Sequence, residues 1–126
     1  MGYHLCYGSP ADEHLVMPKD MGVMVEMANG VRATIARHVD FLHMPVPNDR
    51  VDAGYFKPLA SLRGFDTTML YLGLIHADDR GGDRARMKAA RAFAPAFGVS
   101  SECGWGRTDP TRVPGLLASH RAALES

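Results

Sequence analysis

Cys6 and Cys103 are the only two cysteines among 126 residues, and each stands where a metal would need it. Cys6 belongs to Tyr3-His4-Leu5-Cys6-Tyr7-Gly8, a short apolar run closed by a turn signal. Cys103 belongs to Val99-Ser100-Ser101-Glu102-Cys103-Gly104, another short run closed by glycine. On a β-strand, residues two apart share a face. His4 and Cys6 would therefore aim an imidazole and a thiolate at one point. Zinc accepts that ligand mixture, and a catalytic zinc keeps one position open. Cys103 is the candidate third ligand.

The elements that must position these groups read as four units, each a short apolar run followed by a helix-like segment. The first strand is expected over 2–7. A polar loop containing Gly8, Pro10 and Asp12 then leads to a helix opening near Pro18 and running to about Arg37. Val23, Met24, Met27, Val31 and Ile35 recur at helical spacing and are expected to form its buried stripe. Met21, Met24 and Met27 at three-residue spacing read as core packing rather than a soft-metal site. The second strand is expected over 39–44, stopped by Pro45 and Pro47, with a short helix over 55–62 broken near Pro58. The third strand, 69–76, is continuously apolar, as in a strand buried on both faces. Its helix is expected to start near Asp83 as a cap and to end by Ala94, before Pro95. The fourth strand covers 99–103 and the last helix 111–124.

Such alternation makes an α/β fold with a parallel sheet and right-handed crossovers. Working residues in these sheets gather at the carboxyl ends of strands. His4 with Cys6, His43, His76 and Cys103 all fall there. One domain spanning residues 1–126 is expected.

Composition narrows the function classes. Fourteen basic residues balance fourteen acidic ones, so no global field favours nucleic acid or an anionic membrane. The arginines between Arg80 and Arg91 are interleaved with acidic residues and read as a solvated helix face. No run approaches the roughly 18–20 apolar residues of a membrane span, and no export signal is visible. Reduced thiols and a cytoplasmic location are the expectation. Asp78-Asp79-Arg80-Gly81-Gly82 lacks the phosphate-loop pattern, and its two aspartates would repel phosphate.

Tyr3-His4-Leu5-Cys6-Tyr7-Gly8 resembles the His-x-Cys zinc motif of the cobalamin-independent methionine synthase family, which is grouped with the uroporphyrinogen decarboxylase-like barrels. Glu102-Cys103-Gly104-Trp105-Gly106-Arg107 resembles that family's distal Cys-Gly motif. Phe41-Leu42-His43-Met44-Pro45-Val46-Pro47 and Leu74-Ile75-His76-Ala77 fall at the two intervening strand ends. The resemblance covers Tyr3 to the final helix and implies the last four units of a (β/α)8 TIM barrel. A closed barrel needs about 200 residues or more, so 126 residues make half of one. Either the reading frame is truncated, or a homodimer or a partner chain completes the barrel.

The resemblance implies transfer of a methyl or other alkyl group to a small-molecule thiol, from a donor of folate type. His4, Cys6 and Cys103 would hold zinc. The family's glutamate ligand after the second strand is missing; His43 stands in that region as a ligand or helper, and Glu26 lies inside the first helix. His76 would manage protons as a general acid. Trp105 and Arg107 would line the mouth, with Arg107 pairing a substrate carboxylate. A competing reading is a non-catalytic half-barrel that at most binds zinc or assembles. In the blandest reading, Cys6 and Cys103 are buried thiols and His43 a hydrogen-bonded anchor. His14, His38 and His120 read as surface residues.

Overall fold

The computed structural model describes residues 1–8, 16–94 and 96–126. The loop positions Pro10, Asp12 and His14, and Pro95, lie outside the described residues. Four strands, β1 (Gly2–His4), β2 (Phe41–Pro45), β3 (Met69–Ile75) and β4 (Gly98–Ser101), form one sheet in the order β1-β2-β3-β4. Every neighbouring pair is parallel. Helices α1 (Gly22–Thr34), α2 (Ala53–Phe56), α3 (Arg80–Arg91) and α4 (Val113–Leu124) supply the crossovers. A four-stranded parallel sheet in chain order, with a helical segment after each strand, is compatible with half of an α/β barrel.

Strand alternation divides the side chains between two faces. Leu42, Met44, Leu72 and Leu74 point towards the helices and are fully buried with Met24, Val25 and Ala28 of α1 and Met87 and Ala90 of α3. Each such side chain contributes about 1.5–3 kcal/mol of burial free energy. The opposite face carries Gly2, Phe41 and Met69 in one register and His4, His43, Tyr71 and Gly98 in the next. Phe41 and Met69 on that face are exposed. A Cβ at Gly2 would collide with the Phe41 ring, and one at Gly98 with the Tyr71 ring. The two glycines let large rings lie flat over their neighbouring strands.

Several elements depart from the sequence expectation. Helix α1 opens at Gly22 rather than near Pro18, and its core stripe is Met21, Met24, Val25 and Ala28. Val23 and Met27, expected inside, are exposed. The helix carries two apolar stripes, and only tertiary contact decides which one meets the sheet. Pro58 falls where α2 gives way to a 3-10 turn over 57–61, as its missing N–H and fixed φ dictate. Helix α3 is capped by Asp79, whose carboxylate accepts the Gly82 N–H, and not by Asp83. Asp83 and Arg86 are instead buried, so the arginine-rich segment is not wholly a solvated face.

Among the described residues, no helix is long and apolar enough to cross a membrane.

Candidate metal centre and adjoining cavity

The strands deliver their chemistry to one end of the sheet. His4 is the last residue of β1, and Cys6 lies two residues past it. Cys103 lies two residues past the end of β4. In a flat sheet β1 and β4 would stand about 14 Å apart, three strand spacings of roughly 4.8 Å. Yet His4 Nε2 and Cys103 Sγ are 3.8 Å apart. One ligand atom each from His4, Cys6 and Cys103 lies within 4.8 Å of the others. This group can hold a metal ion.

The fit to a tetrahedral site is close. Zinc distances of about 2.3 Å to sulfur and 2.0–2.1 Å to nitrogen put a nitrogen and a sulfur ligand about 3.6 Å apart, and two sulfurs about 3.8 Å apart. The His4–Cys103 pair already has that spacing. Among the described residues no fourth His, Cys, Asp or Glu joins the group, which leaves one coordination position for an outside ligand. Cys6 is steadied locally: the Gly8 N–H donates to its Sγ at 3.3 Å. Tyr7, the next residue, makes a 2.9 Å hydroxyl contact with Tyr55, which donates to the Pro45 carbonyl at 3.1 Å. A buried tyrosine pair therefore anchors the chain just beyond the thiol.

His43 occupies a different role from that of a fourth ligand, because both of its nitrogens are engaged. Its Nε2 lies 3.0 Å from the Ser101 carbonyl oxygen, which can only accept, so Nε2 carries the proton. Its Nδ1 lies 2.7 Å from His4 Nδ1. Burial, and after it the neighbouring His4, lower the proton affinity of His43. A neutral His43 protonated at Nε2 accepts at Nδ1, so His4 donates there. The lone pair of His4 is thereby left on Nε2, the nitrogen nearest Cys103. Metal-ligating histidines characteristically donate their other N–H in this way, fixing tautomer and ring orientation.

Beside the thiols lies a cavity of about 500 Å³ whose walls include His76, Glu102, Cys103, Trp105 and Arg112. This is the size of a small-molecule site. His76 Nε2 donates to the Val46 carbonyl at 2.8 Å, which leaves its lone pair on Nδ1. Burial, then the positive Arg86, hold His76 below its ordinary value. A neutral imidazole with an available lone pair is a base, so the geometry suits His76 to accepting a proton rather than to the general-acid role expected of it. Burial pushes the Glu102 carboxyl up to about 7. Trp105 forms a wall and is fixed by its Nε1–H donating to Ser101 Oγ at 2.8 Å. His120, expected on the surface, is half-buried and stacks edge-on against Trp105 with ring centroids 5.7 Å apart.

Arg107 is exposed and is not part of the cavity lining; Arg112 is. Glu26 is exposed on α1, away from the group. Sequence reasoning passed over Glu102 and Arg112. Glu102 carried a signal, as an acidic residue inside an apolar strand end beside Cys103. Arg112 carried none, because its place depends on the two 3-10 turns, 105–107 and 110–112, that fold the loop after β4 back over the cavity.

Comparison with known protein families, curated proteins and solved structures finds no match for this chain.

Proposed function

We propose that this chain belongs to a zinc-dependent thiol alkyltransferase related to the cobalamin-independent methionine synthases, and corresponds to the C-terminal half of that barrel. The observation that carries the reading is the convergence of His4, Cys6 and Cys103 from the two outermost strands, with one coordination position open beside a cavity. Zinc held there would lower the pKa of a thiol in the open position, so that a thiolate forms near neutral pH.

The chain's own residues account for the rest. His43 holds His4 in the ligating tautomer. Trp105 shapes the wall. His76 takes up the thiol proton at Nδ1 and returns it to the leaving group of the donor as the carbon–sulfur bond forms. The net change is an S–H and a donor–methyl bond exchanged for an S–methyl and a donor–H bond. A folate-type methyl carrier is the donor that the family resemblance suggests.

The test begins with metal-free protein titrated with Co(II). Two thiolate ligands should give an intense near-ultraviolet charge-transfer band, and adding a small thiol should shift the visible bands. Zinc-loaded protein should then methylate that thiol from a methylfolate. A Co(II) spectrum without thiolate character would remove the metal centre. A normal spectrum that no thiol perturbs would remove the alkyl transfer.

A further inference from the structure

We propose that two copies of this chain close face to face, about a two-fold axis along the strand direction, into one eight-stranded parallel barrel. The inference rests on the half-barrel architecture and is independent of whether the site binds zinc.

Three features point to a second copy. The first is curvature. The 3.8 Å approach of His4 to Cys103 across three strand spacings means that the sheet curls towards its open face. A curled parallel sheet continues naturally into a barrel.

The second feature is the pair of edges. Among the described residues, β1 pairs only with β2, and β4 only with β3. Each presents one row of backbone donors and acceptors to solvent, a standing invitation to strand addition. All four strands run the same way, so β4 of one copy can pair in parallel with β1 of its partner at two equivalent seams. Two-fold closure leaves no free edge, and it is the commonest oligomer symmetry.

The third feature is where apolar side chains remain exposed. Inside the array, α3 carries no large exposed hydrophobic residue. The terminal helices do. On α1, Val23 and Met27 are 67% and 54% exposed, one helical turn apart. On α4, Leu117 and Leu124 are 56% and 78% exposed, two turns apart. Each pair lies along one helix face. Helix α4 already packs on α3, and α1 on the 57–61 turn, where the Asn29 amide donates to the Ser61 carbonyl at 3.0 Å. In a closed barrel the next neighbour of α4 is the partner's α1, so the stripes meet at the seams. Phe41 and Met69, exposed on the open sheet face, become barrel interior, where layers of bulky side chains belong.

Light scattering coupled to gel filtration, run under reducing conditions, tests this on the full chain. The expected species has twice the 13.7 kDa chain mass. Met27→Glu and Leu117→Lys should each weaken dimerisation at least tenfold while keeping the wild-type far-ultraviolet circular dichroism. Mixing the two variants should restore a heterodimer, because one seam then holds a Glu–Lys pair and the other is native. Three results would overturn the proposal: a wild-type monomer at tens of micromolar, open-ended oligomers, or a dimer that neither substitution disturbs. If both variants lose the dimer but their mixture does not regain it, α1 and α4 do not meet across the seam. Co(II) binding measured on the same samples reports the metal centre separately.

Discussion

Two polar clusters sit at the carboxyl ends of neighbouring strands, and they are built in opposite ways. Arg86, wholly buried, spends its guanidinium on four acceptors: the Leu74 carbonyl at 2.8 Å, the Asn48 carbonyl, Asp79 at 3.0 Å and Asp83 at 2.6 Å. Asp83 in turn accepts the His76 backbone N–H at 3.0 Å. The cluster ties the loop after β2, the end of β3 and the start of α3 into one body. The metal centre does the reverse. Its histidine and Cys6 are exposed, and its hydrogen bonds orient the His4 lone pair towards the other ligands instead of consuming it. A cluster with its donors spent stabilises a fold; one that keeps lone pairs directed at a common point can take a ligand.

The contrast breaks most visibly at Arg86. Replacing one partner of a buried ion pair leaves an uncompensated charge, at a cost of about 3–5 kcal/mol. Arg86→Met should lower the urea midpoint accordingly, because Asp83, only 3% exposed, stays buried without its cation. Adding Asp83→Leu should recover much of the loss, since an apolar pair of similar volume tolerates that environment. If Arg86→Met is as stable as wild type, the cluster is not a structural tie and the comparison fails.

At the metal centre the effects should fall on binding and spare the fold. Cys103→Ser should weaken zinc affinity by about a hundredfold or more, at least the size of an outer-shell loss, with the metal-free urea midpoint nearly unchanged. His43→Phe should cost about 10–100-fold in zinc affinity, roughly 1.4–2.7 kcal/mol. It removes the acceptor that holds the Nδ1 proton of His4 while ligating nothing itself. His43→Gln, whose amide oxygen can accept that proton, should recover part of the affinity. Competition with a chromophoric chelator reads all three. Equal losses in the Phe and Gln variants would mean that His43 acts through packing alone.

How far the sequence reaches differs between these regions for physical reasons. Strand–helix alternation and the apolar runs were legible, because a buried parallel strand must be continuously apolar, and the parallel sheet followed. The His-x-Cys pair and the distal cysteine were legible as ligand types. The role of His43 was not, since its tautomer is set by a carbonyl 58 residues away. Nor was the Arg86 cluster, because an arginine on a charge-rich helix reads as solvated until its partners are seen converging from other elements. Helix α1 misled for a third reason. It has two apolar stripes, and local periodicity cannot say which faces the sheet and which faces outward.

His76 joins the two clusters and gives the smallest and sharpest test. Its backbone N–H belongs to the Asp83 side and its ring to the cavity. Burial first, and Arg86 second, depress its proton affinity below the ordinary 6.5. The unfolded chain therefore binds a proton at this residue at a higher pH than the folded chain does. The stability tied to the neutral ring is fully present above the unfolded value of about 6.5 and is lost as pH falls through the window between it and the lower folded value. His43 shifts in the same direction, and Glu102, raised to about 7, in the opposite one, so the wild-type profile alone does not isolate His76. The difference between wild type and His76→Gln does. It should move in favour of wild type from pH 5 to pH 7, with a slope no steeper than about 1.4 kcal/mol per pH unit, and then level off. Urea titrations of both proteins at each pH measure it. A flat difference would place the His76 ring in effective contact with solvent and detach it from the Arg86 cluster.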